Sequence, residues 1–326
     1  MATGFLDGGR PFGNSFVLPK HKMVYVSVTK VACTSLRWMV ADLTGEDKES
    51  FYRETGGQQT RLMTIHGPRD RWKNTPQLLD LSPAELDEIS PENGWLIFAV
   101  VRDPWSRLWS AWQSKFLVRH AWYVDHYGDE PWFPRVPASA NDVVEDFRSF
   151  VLARPWENHE QLRTDYHFKP QTHSVRPRRV RYTKVYDLTE LPTLFGDVKA
   201  HLESLGMPNE LYTPRANETP LPLVREALSP EVSTVIEDAY REDFEAFDHG
   251  WTLDRVKVAP DGWSADAIAH TAYHAAANER IGDLRAEARR IRRELVRQRR
   301  ANEQLRAELT AARAGLLRRA VRMLRG

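Results

Sequence analysis

Apolar positions change their period several times along this chain. Val24, Val26 and Val28 alternate with Tyr25 and Ser27, a β-branched pattern that suits a strand. Leu36, Met39 and Val40 then recur at helical spacing. From Trp95 to Val101 the run is almost wholly apolar, as in a strand covered on both faces of a parallel sheet. Pro104 follows where a first-turn proline opens a helix. A third strand is expected from Tyr182 to Tyr186. Ala121 to Pro134 is crowded with aromatics and interleaved with Asp and Pro, too broken for a regular element. That stretch reads either as a lid over an acceptor or as a satellite core.

From Ile281 the pattern becomes a heptad. One column is Ile281, Ala288, Leu295, Asn302, Leu309 and Leu316; the other is Leu284, Ile291, Gln298, Leu305 and Ala312. The alternating three–four spacing predicts a coiled coil, and Asn302 in a core column favours a fixed register and a dimer. These patterns predict an α/β domain over 1–261, with a central parallel sheet flanked by helices and ligands at the strand ends. A linker over 262–278 and a basic coiled-coil or amphipathic helix over 279–326 follow.

The two strand–loop–helix units carry the candidate chemistry. In Lys30-Val31-Ala32-Cys33-Thr34-Ser35 a lysine and two hydroxyls precede a helix whose first N–H groups lack partners and whose dipole favours anions. The loop lacks the glycines and the Gly-Lys-Ser/Thr ending of a P-loop NTPase, which disfavours an ATP-dependent kinase. About 70 residues on, Arg102 ends the second strand, with Arg107 and Ser110 on the helix behind it. An arginine and a serine so placed can hold a phosphate by charge-assisted hydrogen bonds. The bland alternatives are a capped helix start for the first unit and a local Arg102–Asp103 pair for the second.

Together these segments resemble the carbohydrate sulfotransferases, nearest the branch of chondroitin, dermatan and heparan 2-O enzymes. Lys30 to Ser35 looks like the 5′-phosphosulfate loop, and Val101-Arg102-Asp103-Pro104-Trp105-Ser106-Arg107-Leu108-Trp109-Ser110 like the 3′-phosphate motif. His167-Phe168-Lys169-Pro170-Gln171 and Leu228 to Phe247 resemble two later segments, so the likeness runs from about Lys22 to Trp251. It implies a fold related to that of P-loop NTPases and a donor of 3′-phosphoadenosine-5′-phosphosulfate (PAPS), without metal. The acceptor it implies is a hydroxyl of a carbohydrate. By the same likeness Lys30 assists the leaving oxygen, Val31 to Ser35 cradle the 5′-phosphate, and Arg102, Ser110 and Arg107 hold the 3′-phosphate.

A sugar hydroxyl also needs a base. His66, in a His-Gly element between the two motifs, is the first choice, and His167 the second. Glu54, Asp70 and Glu85 stay in the pool, as do Asn217 and Thr219 for contacts to the donor.

Composition changes the picture only at its edges. The chain has 326 residues, 41% hydrophobic content and a formal net charge of +1. That suits one full α/β core and argues for no nucleic-acid partner. A lone cysteine, Cys33, fits a reducing compartment, and no signal-like or membrane-spanning run is evident, so a cytoplasmic enzyme is expected. From Glu279 to Arg325 there are 15 arginines against 6 acidic residues. The expected partners are a second copy along the coiled coil and, through 315–326, an anionic surface such as the inner face of the plasma membrane. A scaffold without turnover, or the same chemistry on a lipid or secondary metabolite, are the competing readings.

Overall fold

β1 (Ser15–Leu18), β2 (Met23–Val26), β3 (Leu96–Val101) and β4 (Lys184–Asp187) form one sheet in the order β1-β2-β3-β4. The computed structural model describes Leu6 and residues 11–52, 60–67, 69–216 and 219–324. β2 pairs with β3, and β3 with β4, in parallel, with Val24 opposite Ile97 and Ala99 opposite Val185. All six residues of β3 are buried, which is why its sequence shows no alternation. β1 runs antiparallel to β2 and adds an antiparallel edge to the expected parallel sheet. All four residues of β1 are buried, so it shows no polar–apolar alternation.

Helices leave the C-terminal ends of both central strands. Cys33–Leu43 follows β2, and Pro104–Trp112 follows β3 and runs on into a π-helical turn at Gln113–Leu117. Two clusters of buried residues result. One lies around the sheet, with Tyr25, Trp38 and Phe98 at its centre. The other is strongly aromatic and gathers Trp109, Trp112, Phe116, Phe147 and Phe150.

The aromatic stretch belongs to that second cluster. Ala121–Tyr127 is helical after all, and Tyr123, Tyr127 and Trp132 are buried. Its pattern misleads because aromatics occupy more than one face of a short helix. Trp122 and His126 are exposed and stack on each other with ring centroids 4.2 Å apart. The satellite core is therefore the reading the structure supports.

The C-terminal helix begins at Ala265, inside the stretch expected as a linker, and continues to Met323. Its first turns are seated on the body: Ile268, Thr271, Ala275 and Asn278 are buried, and Asn278 Nδ2 donates to the Val118 carbonyl at 2.6 Å. Among the described residues no helix is long and apolar enough to cross a membrane.

Candidate active site

The loop after β2 bends without glycine. Lys30 (φ 69) and Ala32 (φ 57) both occupy the left-handed region, which costs a non-glycine residue on the order of 1 kcal/mol. Such conformations turn successive backbone N–H groups toward a common point, the geometry of an anion-binding nest. Ala32 is the N-cap of the following helix and supplies no side-chain cap, so the first-turn N–H groups keep their capacity to bind an anion. Val31 is buried, and Cys33 is the first residue of the helix.

The hydroxyls of that turn are engaged. Thr34 Oγ1 lies 2.9 Å from His66 Nε2, and Ser35 Oγ donates to the Pro214 carbonyl at 2.7 Å. Ser35 therefore ties down the 211–216 segment and keeps only its backbone N–H for a phosphate. Thr34 can still donate to a ligand if His66 donates to it.

A cavity of about 490 Å³ opens beside the loop. Lys30, Cys33, His66 and His167 line it together with Lys115, His120 and Thr219. Five of the residues singled out in the sequence, from four separate segments, thus meet in one place. Lys30 is only 9% exposed, and burial, reinforced by the Lys115 charge, pushes its pKa down to about 7. His66 is held well below the usual histidine range by burial and by the Arg37, His167, Lys115 and Lys30 side chains.

His167 has a different setting. Its Nδ1 lies 2.7 Å from Asp165 Oδ1, and Tyr123 donates its hydroxyl to the other carboxylate oxygen. Burial raises the Asp165 pKa, but the bonds from His167 and Tyr123 outweigh it and hold the carboxyl below the usual range. With Nδ1–H on the carboxylate, Nε2 of His167 remains the basic nitrogen, with no hydrogen-bond partner among the described residues. Burial and Lys115 lower the His167 pKa to about 4, so the ring is neutral near pH 7. Among the described residues no group of three or more His, Cys, Asp or Glu side chains is placed to hold a metal ion.

The second motif divides. Arg102 lines a separate cavity of about 820 Å³ with Ser106, Asp187 and Trp251. Thr219 and Pro220 face the first cavity, whereas Pro222 and Leu223 face the second, so this short segment is the partition. Ser110 stands against it, its hydroxyl 2.9 Å from that of Thr219. Gln113 and Trp109 pin the partition by hydrogen bonds to Leu221. Asn217 and Glu54 lie outside the described residues.

Arg107 does not point to a ligand. It is 1% exposed and donates to the carbonyls of Thr29, Tyr166 and Lys169 and to the Thr29 hydroxyl. It locks the Lys30 loop to the segment that carries His167. Arg107→Ala is expected to lower unfolding stability by about 3 kcal/mol in denaturant titration, since several buried carbonyls lose a charged donor. Unchanged stability with weakened nucleotide binding would return Arg107 to the phosphate-binding set.

The later motifs act on the same framework. The Gln171 amide clamps the peptide of Arg102, accepting from its N–H at 3.0 Å and donating to its carbonyl at 2.8 Å. Asp243 accepts from the N–H groups of Gln171 and Thr172, and Tyr240 donates to the Phe168 carbonyl. Lys115 was missed by the sequence reading, and so was Asp165. Lys115 sits on the π-helical turn, a feature that often marks functional sites. Its signal was a lone charge amid Trp112, Phe116 and Leu117.

No curated protein and no solved structure matches the chain. The sequence model of the sulfotransferase family matches residues 13–250, which takes in the sheet, both phosphate motifs and the segments that clamp them. The chain belongs to the sulfotransferase family.

Proposed function

We propose that this chain moves the sulfuryl group of PAPS to a hydroxyl of a carbohydrate. The observation that carries the reading is the cavity in which buried Lys30 faces a neutral histidine oriented by a carboxylate. The donor would supply an activated sulfuryl group between the acceptor oxygen and the 5′-phosphate. Its fit rests on the uncapped helix start after Ala32 and on Arg102, whose guanidinium has no hydrogen bond among the described residues. The 5′-phosphate would rest on the first-turn N–H groups and Thr34, and the 3′-phosphate on Arg102, with Ser110 beside the partition.

His167 takes the acceptor proton on Nε2 while Asp165 keeps its Nδ1–H in place. As the acceptor oxygen bonds to sulfur and the bond to the phosphate oxygen breaks, the Lys30 ammonium neutralises charge on the leaving oxygen. His66 becomes a positioning residue, since its Nε2 is occupied by Thr34. This reverses the preference drawn from sequence, in which His66 came first. The parallel part of the sheet, with the candidate site beyond its strand ends, also fits a relation to P-loop NTPases.

The carbohydrate acceptor rests on the sequence resemblance, and a panel tests it. Labelled sulfuryl transfer from PAPS should appear on uronate- or hexosamine-containing glycans. Label appearing instead on hydroxylated lipids would move the acceptor out of the carbohydrates while leaving the donor reading intact.

A further inference from the structure

The Ala265–Met323 helix is a rod of about 90 Å, and most of it extends past the body. Its seat uses one side. Asn278 bonds to Val118, a Cβ on Gly282 would lie 3.4 Å from that of Ala121, and Arg289 pairs with Asp125 at 3.1 Å. Ile281 and Leu284 face another side and begin an apolar stripe. Along it Ile291 is 58% exposed, Leu305 61% and Leu316 66%.

The residues flanking that stripe identify its occupant. With Ile281 at position a, every e position is arginine: Arg285, Arg292, Arg299, Arg306 and Arg313. The g positions are Glu287, Glu294, Ala301, Glu308 and Gly315. In a parallel pair, each g side chain meets the e side chain of the next heptad on the other helix. Glu287 then meets Arg292, Glu294 meets Arg299, and Glu308 meets Arg313, each twice. An antiparallel pair sets e beside e and g beside g, so arginine faces arginine and glutamate faces glutamate. Asn302 at position a meets its own copy only when the helices are parallel and in register. In the single chain Glu287 and Glu294 pair with Arg290 and Arg297 at i,i+3, exposed contacts that leave the e arginines free.

We propose that two copies of this chain join along residues 281–316 as a parallel, in-register coiled coil. The inference stands apart from the reaction proposed above and adds a geometric consequence. Asn278 and His274 line the Lys30 cavity about one and about two turns before the seam begins. A parallel pair therefore holds both cavities at the root of one rod. The Arg318 and Arg319 ends of both copies lie together, about 60 Å farther along.

Two measurements on the full chain test this. Sedimentation equilibrium should give the mass of two chains. Ala312→Cys, near one end of the seam, should form an interchain disulfide within minutes under oxidised glutathione, while the unmodified chain, whose Cys33 is buried, should not. Replacing Glu287, Glu294 and Glu308 by arginine should weaken the dimer about 100-fold. Adding Arg292→Glu, Arg299→Glu and Arg313→Glu should restore it. A monomer, a higher oligomer, a dimer whose Ala312→Cys copies fail to cross-link, or a charge swap that does not recover would each overturn the proposal.

Discussion

Lys30→Ala is expected to lower kcat for sulfuryl transfer by about 10²–10³-fold, the usual effect of removing a donor aimed at developing charge. Lys30 is held in a left-handed turn, is nearly buried, and lines the cavity with no hydrogen-bond partner for its ammonium among the described residues. Its pKa of about 7 also gives the effect a pH signature. Lys30 must be protonated to neutralise the leaving oxygen, and protonation is lost as pH rises through about 7. His167 must be neutral, and neutrality is lost as pH falls through about 4. The kcat/KM profile, which reports groups of the free enzyme, should therefore be bell-shaped between these limits. Lys30→Ala should lose the alkaline limb along with the rate. An unaltered alkaline limb would show that Lys30 is not the group that titrates.

His167→Ala is the second large effect, a fall in kcat of about 10²–10⁴-fold with donor affinity kept within a few-fold. Asp165→Asn should follow it in direction, because the amide can no longer hold the Nδ1–H tautomer. His66→Ala should behave differently. It removes the partner of Thr34 and is expected to weaken donor binding about tenfold, through a phosphate-loop hydroxyl left unoriented. The pH profile separates the roles, since only loss of the base removes the acid limb. If His66→Ala abolished turnover while His167→Ala lost only thermal stability, the two histidines would exchange roles.

The strands and loops of this site were legible because they obey local rules. β2 shows β-branched alternation, β3 is an apolar run, and Lys30 and Arg102 stand at their ends. What was not legible depends on partners far away in the chain. Arg107 looked like a phosphate ligand, but its acceptors lie 59 to 78 residues distant, and no spacing rule reaches them. Gln171 could be placed in a motif, yet its task of clamping Arg102 across 69 residues needed the fold. Ser35 likewise carried a plausible hydroxyl whose proton goes to Pro214, 179 positions away. The choice between His66 and His167 likewise turns on contacts that sequence spacing does not show. Both are lone histidines near turns, and only the Thr34 and Asp165 contacts tell them apart.

The placement of Lys30 and Arg102 in neighbouring cavities makes one measurement decisive. Calorimetric titration of the full chain with 3′-phosphoadenosine-5′-phosphate and with ADP compares ligands that share adenosine and a 5′-phosphate but carry the second phosphate at the 3′ position or on the 5′ chain. The account predicts clear preference for the 3′-phosphorylated nucleotide, and Arg102→Ala should reduce its affinity about 10- to 100-fold while leaving ADP nearly unaffected. Equal binding of the two nucleotides, or binding of the first that ignores Arg102→Ala, would contradict it.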